Sequence, residues 1–164
     1  MKKIYLISIL SLLIISCMYK DGTTYDRNGN KMFEGKYKNG KYHGKWIDYY
    51  ENGQIKQIKH YKNGKFNGKW IKYNEIGQIT EEVNYKDDVE NGKWILFFEN
   101  GQIKLEVDYR NGKYDGKNIT YNDNGNILLD WYFKDGEKDG KWTYYNDDGS
   151  IDKIEEYKNG ELVE

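Results

Sequence analysis

Few side chains in this 164-residue sequence could carry a reaction. Cys17 is its only cysteine, and His43 and His60 are its only histidines. Neither histidine stands at a position that recurs along the chain, so both read as solvated surface residues, not as a metal or acid–base pair. Beyond residue 16 the only serine is Ser150, in a turn, which leaves a Ser-His-Asp arrangement without members. Carboxylates are plentiful, as at Glu81-Glu82, Asp87-Asp88 and Asp147-Asp148. They lie beside lysines and turn residues, and solubilising charge explains them better than a glycosidase pair. Asn122-Asp123-Asn124-Gly125 and Asp147-Asp148-Gly149 share residues with calcium loops but lack the spaced ligands and the closing bidentate glutamate. No catalytic residue, metal or cofactor is expected.

The aromatic residues remain: 17 tyrosines, 5 tryptophans and 5 phenylalanines. Trp46, Trp70, Trp94 and Trp142 form a candidate binding stripe, broken at Asn118. Each follows Gly-Lys, and the glycines Gly44, Gly68, Gly92, Gly116 and Gly140 are spaced 24 residues apart without insertion. A fixed period of this size marks a stacked repeat architecture. Tyr25 and Asn28-Gly29 lie one period before Tyr49 and Asn52-Gly53, which adds a degenerate first unit.

The elements that position these residues are strands. Tyr, Trp, Ile and Val favour them, and the recurrent Asn-Gly pairs favour tight turns. Each unit reads as a β-hairpin. Alternation puts Ile47 and Tyr49 on one face and Trp46 on the other. The same alternation over 102–109 puts Ile103, Leu105, Val107 and Tyr109 together. A three-residue loop such as Glu51-Asn52-Gly53 brings the two apolar faces into coincidence and places glycine at the left-handed position. Ile76 supports that choice, because a type I′ turn would force a β-branched residue to positive φ. Ile55, Ile79, Ile103, Ile127 and Ile151 then make one ladder, and Tyr61, Tyr85, Tyr109, Phe133 and Tyr157 a second. The register of the connection between units is left open. The expected fold is all-β: an elongated, single-layer antiparallel meander of six 24-residue hairpin repeats, with ten to twelve strands.

The first residues differ in kind. Met1-Lys2-Lys3 precedes an apolar run from Ile4 to Ile15, too short to span a bilayer and suited to a secretory signal. Ile14-Ile15-Ser16-Cys17 resembles a bacterial lipobox, with isoleucine where leucine is commoner. That resemblance implies cleavage before Cys17 and lipid on its thiol and amine. The organisation expected is a signal at 1–16, a lipidated tether at 17–24 and the array at 25–163. Past Lys2 and Lys3 the chain has 24 basic and 27 acidic side chains, a net of about −3. Both signs are interleaved and no basic stripe stands out, so a nucleic-acid partner is not expected.

The phrase Gly-Lys-Trp followed by Tyr-Tyr-x-Asn-Gly-x-Ile and Tyr-x-Asn-Gly-Lys resembles the MORN repeat in its bacterial variant form, over about residues 20–163. The resemblance implies a hairpin array whose shared positions are structural. Some bacterial members are labelled YwqK-type antitoxins. Trp142-Thr143-Tyr144-Tyr145 also looks like choline-binding cell-wall repeats, whose usual unit is shorter. The expectation is therefore a lipoprotein of the bacterial envelope, on the periplasmic or surface side, acting as a non-catalytic scaffold. Its partner would be an envelope protein or cell-wall polymer. The alternatives are a glycan- or choline-type receptor and an antitoxin or immunity protein. Unpaired sheet edges leave room for edge-to-edge self-association.

Overall fold

The computed structural model describes residues 19–163. The apolar leader, the lipobox-like residues and Cys17 lie outside the described residues. Among the described residues all regular structure is β and belongs to one sheet. The strands are Tyr19–Asp21 (β1), Thr24–Tyr25 (β2), Lys31–Lys38 (β3), Lys41–Tyr49 (β4), Ile55–Lys62 (β5), Lys65–Phe66 (β6), Gly68–Tyr73 (β7), Ile79–Lys86 (β8) and Val89–Phe97 (β9). They continue as Ile103–Arg110 (β10), Lys113–Tyr114 (β11), Gly116–Tyr121 (β12), Ile127–Lys134 (β13), Glu137–Lys138 (β14), Gly140–Tyr145 (β15), Ile151–Lys158 (β16) and Glu161–Leu162 (β17). Each long strand pairs antiparallel with the next, as β4 with β5, β5 with β7, and β7 with β8, so the sheet is an open meander.

The 17 strands exceed the expected number for a local reason. The strand that opens most units is split just before its glycine, as between β6 and β7. Gly68 and Gly116 sit there at φ of 116° and 125°, a backbone an L side chain resists. A Cβ on Gly68 would press on the His60 Cβ at 3.1 Å. The opening glycine of each repeat is thus a bulge residue, which the sequence showed only as a marker of period.

The three-residue loop holds throughout. Tyr50 N–H donates to Gln54 O at 2.8 Å and Gly53 N–H to Tyr50 O at 3.0 Å. Gly53, Gly77, Gly101, Gly125 and Gly149 share φ values of 82–86° along one rim, and Ile76 keeps negative φ. The rim is stapled between units, since Asn52 Nδ2 donates to Glu75 O at 3.0 Å and Asn100 Nδ2 to Asp123 O at 2.7 Å.

The connection left open is a two-residue turn with both central residues at positive φ, as at Asn63 (54°) and Gly64 (89°). That is the type I′ signature. In the copy without glycine, Asp87 and Asp88 take φ of 52° and 73°. This second rim is laced by backbone bonds from each turn to the unit before it, such as Gly64 N–H to Tyr42 O and Gly112 N–H to Glu90 O, at 2.8 and 2.9 Å.

Two expectations change. Residues 19–24 are not a free tether: Tyr19, Lys20 and Asp21 pair with Lys38, Tyr37 and Lys36 of β3. The closing aromatics do not share a face with the isoleucine ladder either. Ile103 pairs with Phe97 but Leu105 pairs with Leu96, so a β-bulge at Lys104 reverses the alternation. Ile55, Ile79, Ile103, Ile127 and Ile151 stay with Ile47 and Tyr49, whereas Tyr61, Tyr85, Tyr109, Phe133 and Tyr157 join the tryptophans on the opposite face.

Candidate functional site

The aromatic face is packed by its own rings. Trp46 touches Tyr42 and Tyr37 with centroids 4.5 and 5.0 Å away, and the contacts run on through Tyr61, Phe66, Trp70 and Tyr85. A second run joins Trp94, Tyr109, Tyr114, Phe133, Trp142 and Tyr157. They part at Glu90, which stands where Tyr42, Phe66 and Tyr114 stand in other units. The second run ends on Lys138, whose ammonium lies 4.1 Å from the Trp142 ring and 4.3 Å from that of Tyr157. Such offset and edge-on ring pairs contribute about 0.5–1.5 kcal/mol each beyond burial.

Trp46, Trp70, Trp94 and Trp142 share this face, opposite Ile47, as alternation placed them. The stripe is covered, however. Trp46 and Trp142 are 5% and 6% exposed, and Trp70 and Trp94 are half-buried. Each indole N–H is directed at the preceding unit: Trp46 to Lys36 O, Trp142 to Tyr132 O, Trp70 to Gln57 Oε1 and Trp94 to Glu81 Oε1, all at 2.9–3.2 Å. These tryptophans join unit to unit.

The break at Asn118 has an internal remedy that repeat phase alone concealed. Asn118 pairs directly with Trp131, the fifth tryptophan, where the other units place Trp against Lys59, Val83, Val107 and Glu155. The large side chain has changed strands. Asn118 is fully buried; its Oδ1 accepts from Asp108 N–H at 3.0 Å and its Nδ2 donates to Gly116 O at 3.3 Å. Trp131 stacks edge-on against Trp142 at 5.3 Å.

Burial tunes the tyrosines of this face. Desolvation, helped by the charge of Asp48, pushes the Tyr61 hydroxyl up to about 12. Tyr109 is raised by burial and by Tyr114, and Tyr85 by burial and by Glu90.

The other face carries isoleucines and charge. In the three middle hairpins the lysine of the opening Gly-Lys reaches a carboxylate on the next strand: Lys69–Glu82 at 2.7 Å, Lys93–Glu106 at 2.9 Å and Lys117–Asp130 at 2.8 Å. In the first hairpin Ile58 takes the acid's place, so Lys45 lacks that partner.

Charge is not interleaved evenly from end to end. Residues 20–67 hold 11 basic and 5 acidic side chains, a net of +6; residues 68–163 hold 13 basic and 21 acidic, a net of −8. The basic end also has a cleft of about 780 Å³, lined by Tyr19, Lys20, Lys36, His43 and Lys45 together with Asp21 and Glu34. His43 and His60, unrelated by period, both belong to this end, in β4 and β5.

Four stretches of the chain, residues 42–63, 66–87, 90–111 and 138–159, match the family described as MORN repeat variant. Each matched stretch runs from one two-residue turn to the next, so the family's unit is the hairpin seen here. The stretch passed over contains Asn118 and Trp131. No curated protein matches the sequence.

Proposed function

We propose a function on this premise: the chain belongs to the MORN repeat variant family, and its hairpin array is a non-catalytic binding scaffold held at a membrane through lipid on Cys17. The observation that supports the scaffold is the form of the sheet. It is one layer with two faces, and its successive hairpins repeat in one register. A partner with any regularity of its own would meet the same backbone plan again at every unit. The lipobox-like Ile14-Ile15-Ser16-Cys17 supports the anchor and a place of action in the bacterial envelope. There the partner is an envelope protein or a polymer of the envelope.

Metabolic labelling with an alkyne fatty acid tests the anchor. Wild type should be labelled and recovered with membranes, and Cys17→Ala should be unlabelled and soluble; label on both would end this reading. Recovery of partners from envelope extract by wild type and by a Trp70→Ala, Trp94→Ala variant tests the scaffold. Because the indoles serve the joints between units, the variant should lose stability first and retain the partners that a folded array still holds. Loss of a partner by a fully folded variant would instead return the tryptophan stripe to the role of binding face.

A further inference from the structure

Directly opposed residues in an antiparallel sheet share a face, and like charges there destabilise the pair. At the amino-terminal end the sheet accumulates such pairs. Two of them set lysine against lysine, Lys38 facing Lys41 and Lys62 facing Lys65; beside them Lys36 faces His43 and Lys45 faces His60, lysine against imidazole. All four pairs lie on the isoleucine face, because their neighbours Tyr37, Tyr42, Tyr61 and Phe66 lie on the aromatic one. Among the described residues none of Lys36, Lys38, Lys41, Lys45, Lys62 and Lys65 has a carboxylate within ion-pair distance.

The equivalent pairs further along are neutral or complementary. Lys45↔His60 becomes Lys69↔Asn84, Lys93↔Asp108, Lys117↔Tyr132 and Lys141↔Glu156. Lys62↔Lys65 becomes Lys134↔Glu137 and Lys158↔Glu161. At these two positions, among the described residues, Arg110↔Lys113 is the one later like pair, and Asp115 relieves it at 3.1 Å from Arg110. Asp21 stands opposite Lys36 from β1, so the relief that the later units show is missing at Lys38↔Lys41 and Lys62↔Lys65.

We propose that this basic face, from the cleft beside Tyr19 along the turns at 38–41 and 62–65, binds a linear polyanion bearing a phosphate or carboxylate on each unit. The arrangement favours a chain over a flat surface. The two lysine pairs stand in a row, one repeat apart, so about 10 Å separates them at two strand spacings. Lys41 lies against the next turn, its stem 3.5 Å from where a Gly64 Cβ would be. The row is closed by Asp87 and Asp88 in the third turn. Of the two acids lining the cleft, Glu34 accepts from Lys31, and Asp21 accepts from Thr23 while standing opposite Lys36.

This names the chemistry of the polymer in the reading above and rests on that reading for the polymer's location. The test uses the full chain in detergent, titrated with inorganic polyphosphate, a polyuronate, neutral dextran and single-stranded DNA. Polyphosphate or the polyuronate should bind and dextran should not, and whichever of the two binds identifies the anion. Lys41→Glu with Lys65→Glu should weaken binding by at least about tenfold and lower the slope of log K against log salt by about two, one per lysine. Lys113→Glu, the same position in a later unit, should change binding by less than about twofold, since its contact lies outside the row. Near-ultraviolet circular dichroism checks that each variant keeps its aromatic packing. Equal affinity in the double variant, an equal loss in Lys113→Glu, or tighter binding to DNA than to both polymers would overturn the proposal. Failure here with lipid labelling intact sinks the polyanion alone. Loss of labelling with polymer binding intact sinks the anchor alone.

Discussion

The units at 20–67 and those at 116–163 share one backbone plan and fill it differently. At the amino-terminal end Trp46 is buried by subtraction. Gly35 and Gly22 leave room for its indole, and a Cβ at either would collide with the ring. At the carboxy-terminal end burial is achieved by exchange, with the small residue on β12 (Asn118) and the large one on β13 (Trp131). Charge differs in the same way. The later units pair Lys134 with Glu137 and Lys158 with Glu161, where the early ones oppose lysine to lysine. In a repeat array each interface contributes separately to stability, so one end can carry a local electrostatic cost that the rest of the array offsets.

The largest effects should come from the packed tryptophans. Trp46→Ala and Trp142→Ala each remove a buried ring and should destabilise by about 3–5 kcal/mol in urea unfolding, with the half-buried Trp70→Ala below that range. Equal losses at all three positions would erase the distinction between ends and middle. Next comes the exchange on β12 and β13. Asn118→Trp alone overpacks by about 1–3 kcal/mol, and Trp131→Val alone leaves a cavity. Together they restore the pattern of Trp94 against Val107, and the coupling should recover about 0.5–3 kcal/mol. Additive losses would show that the two side chains do not share one space.

Alkaline pH should act through the tyrosines of the aromatic face. Their folded-state pKa values are raised, Tyr61 to about 12, so the unfolded chain gives up the protons first. The associated stability is complete below about pH 10, the ordinary tyrosine value, and falls as pH rises from there toward the folded values. Tyrosinate absorbance rising together with loss of near-ultraviolet signal would bear this out; full titration near the ordinary value in a folded chain would contradict it. The smallest effect is electrostatic. Lys41→Glu and Lys65→Glu convert like pairs to complementary ones and should each stabilise by about 0.2–1 kcal/mol.

Much of the fold was legible because the period is exact and turn chemistry is local. Asn-Gly spacing, the parity of Ile47 against Ile55 and the tolerance of Ile76 sufficed to fix the three-residue loop. The bulge at Lys104 was not legible. Alternation assumes an unbroken strand, and no residue type at 104 or its equivalents announces an extra residue, so alternation alone places the closing tyrosines on the wrong face. Trp131 was missed for a related reason. Its relation to Asn118 exists only across the hairpin, and periodicity compares positions along the chain. The charge gradient was present in composition but is blurred when the chain is read as a whole. Only pairing shows that Lys38 faces Lys41, and that His43 and His60 both face lysines.

The most direct measurement is the urea midpoint of wild type and of the Lys41→Glu, Lys65→Glu variant, each with and without the polyanion. Wild type should be the less stable protein alone and gain stability as polymer is added, because a ligand that binds only the folded state shifts unfolding by mass action. The variant should be more stable alone and gain nothing. A variant less stable than wild type, or one stabilised equally by the polymer, would contradict the account.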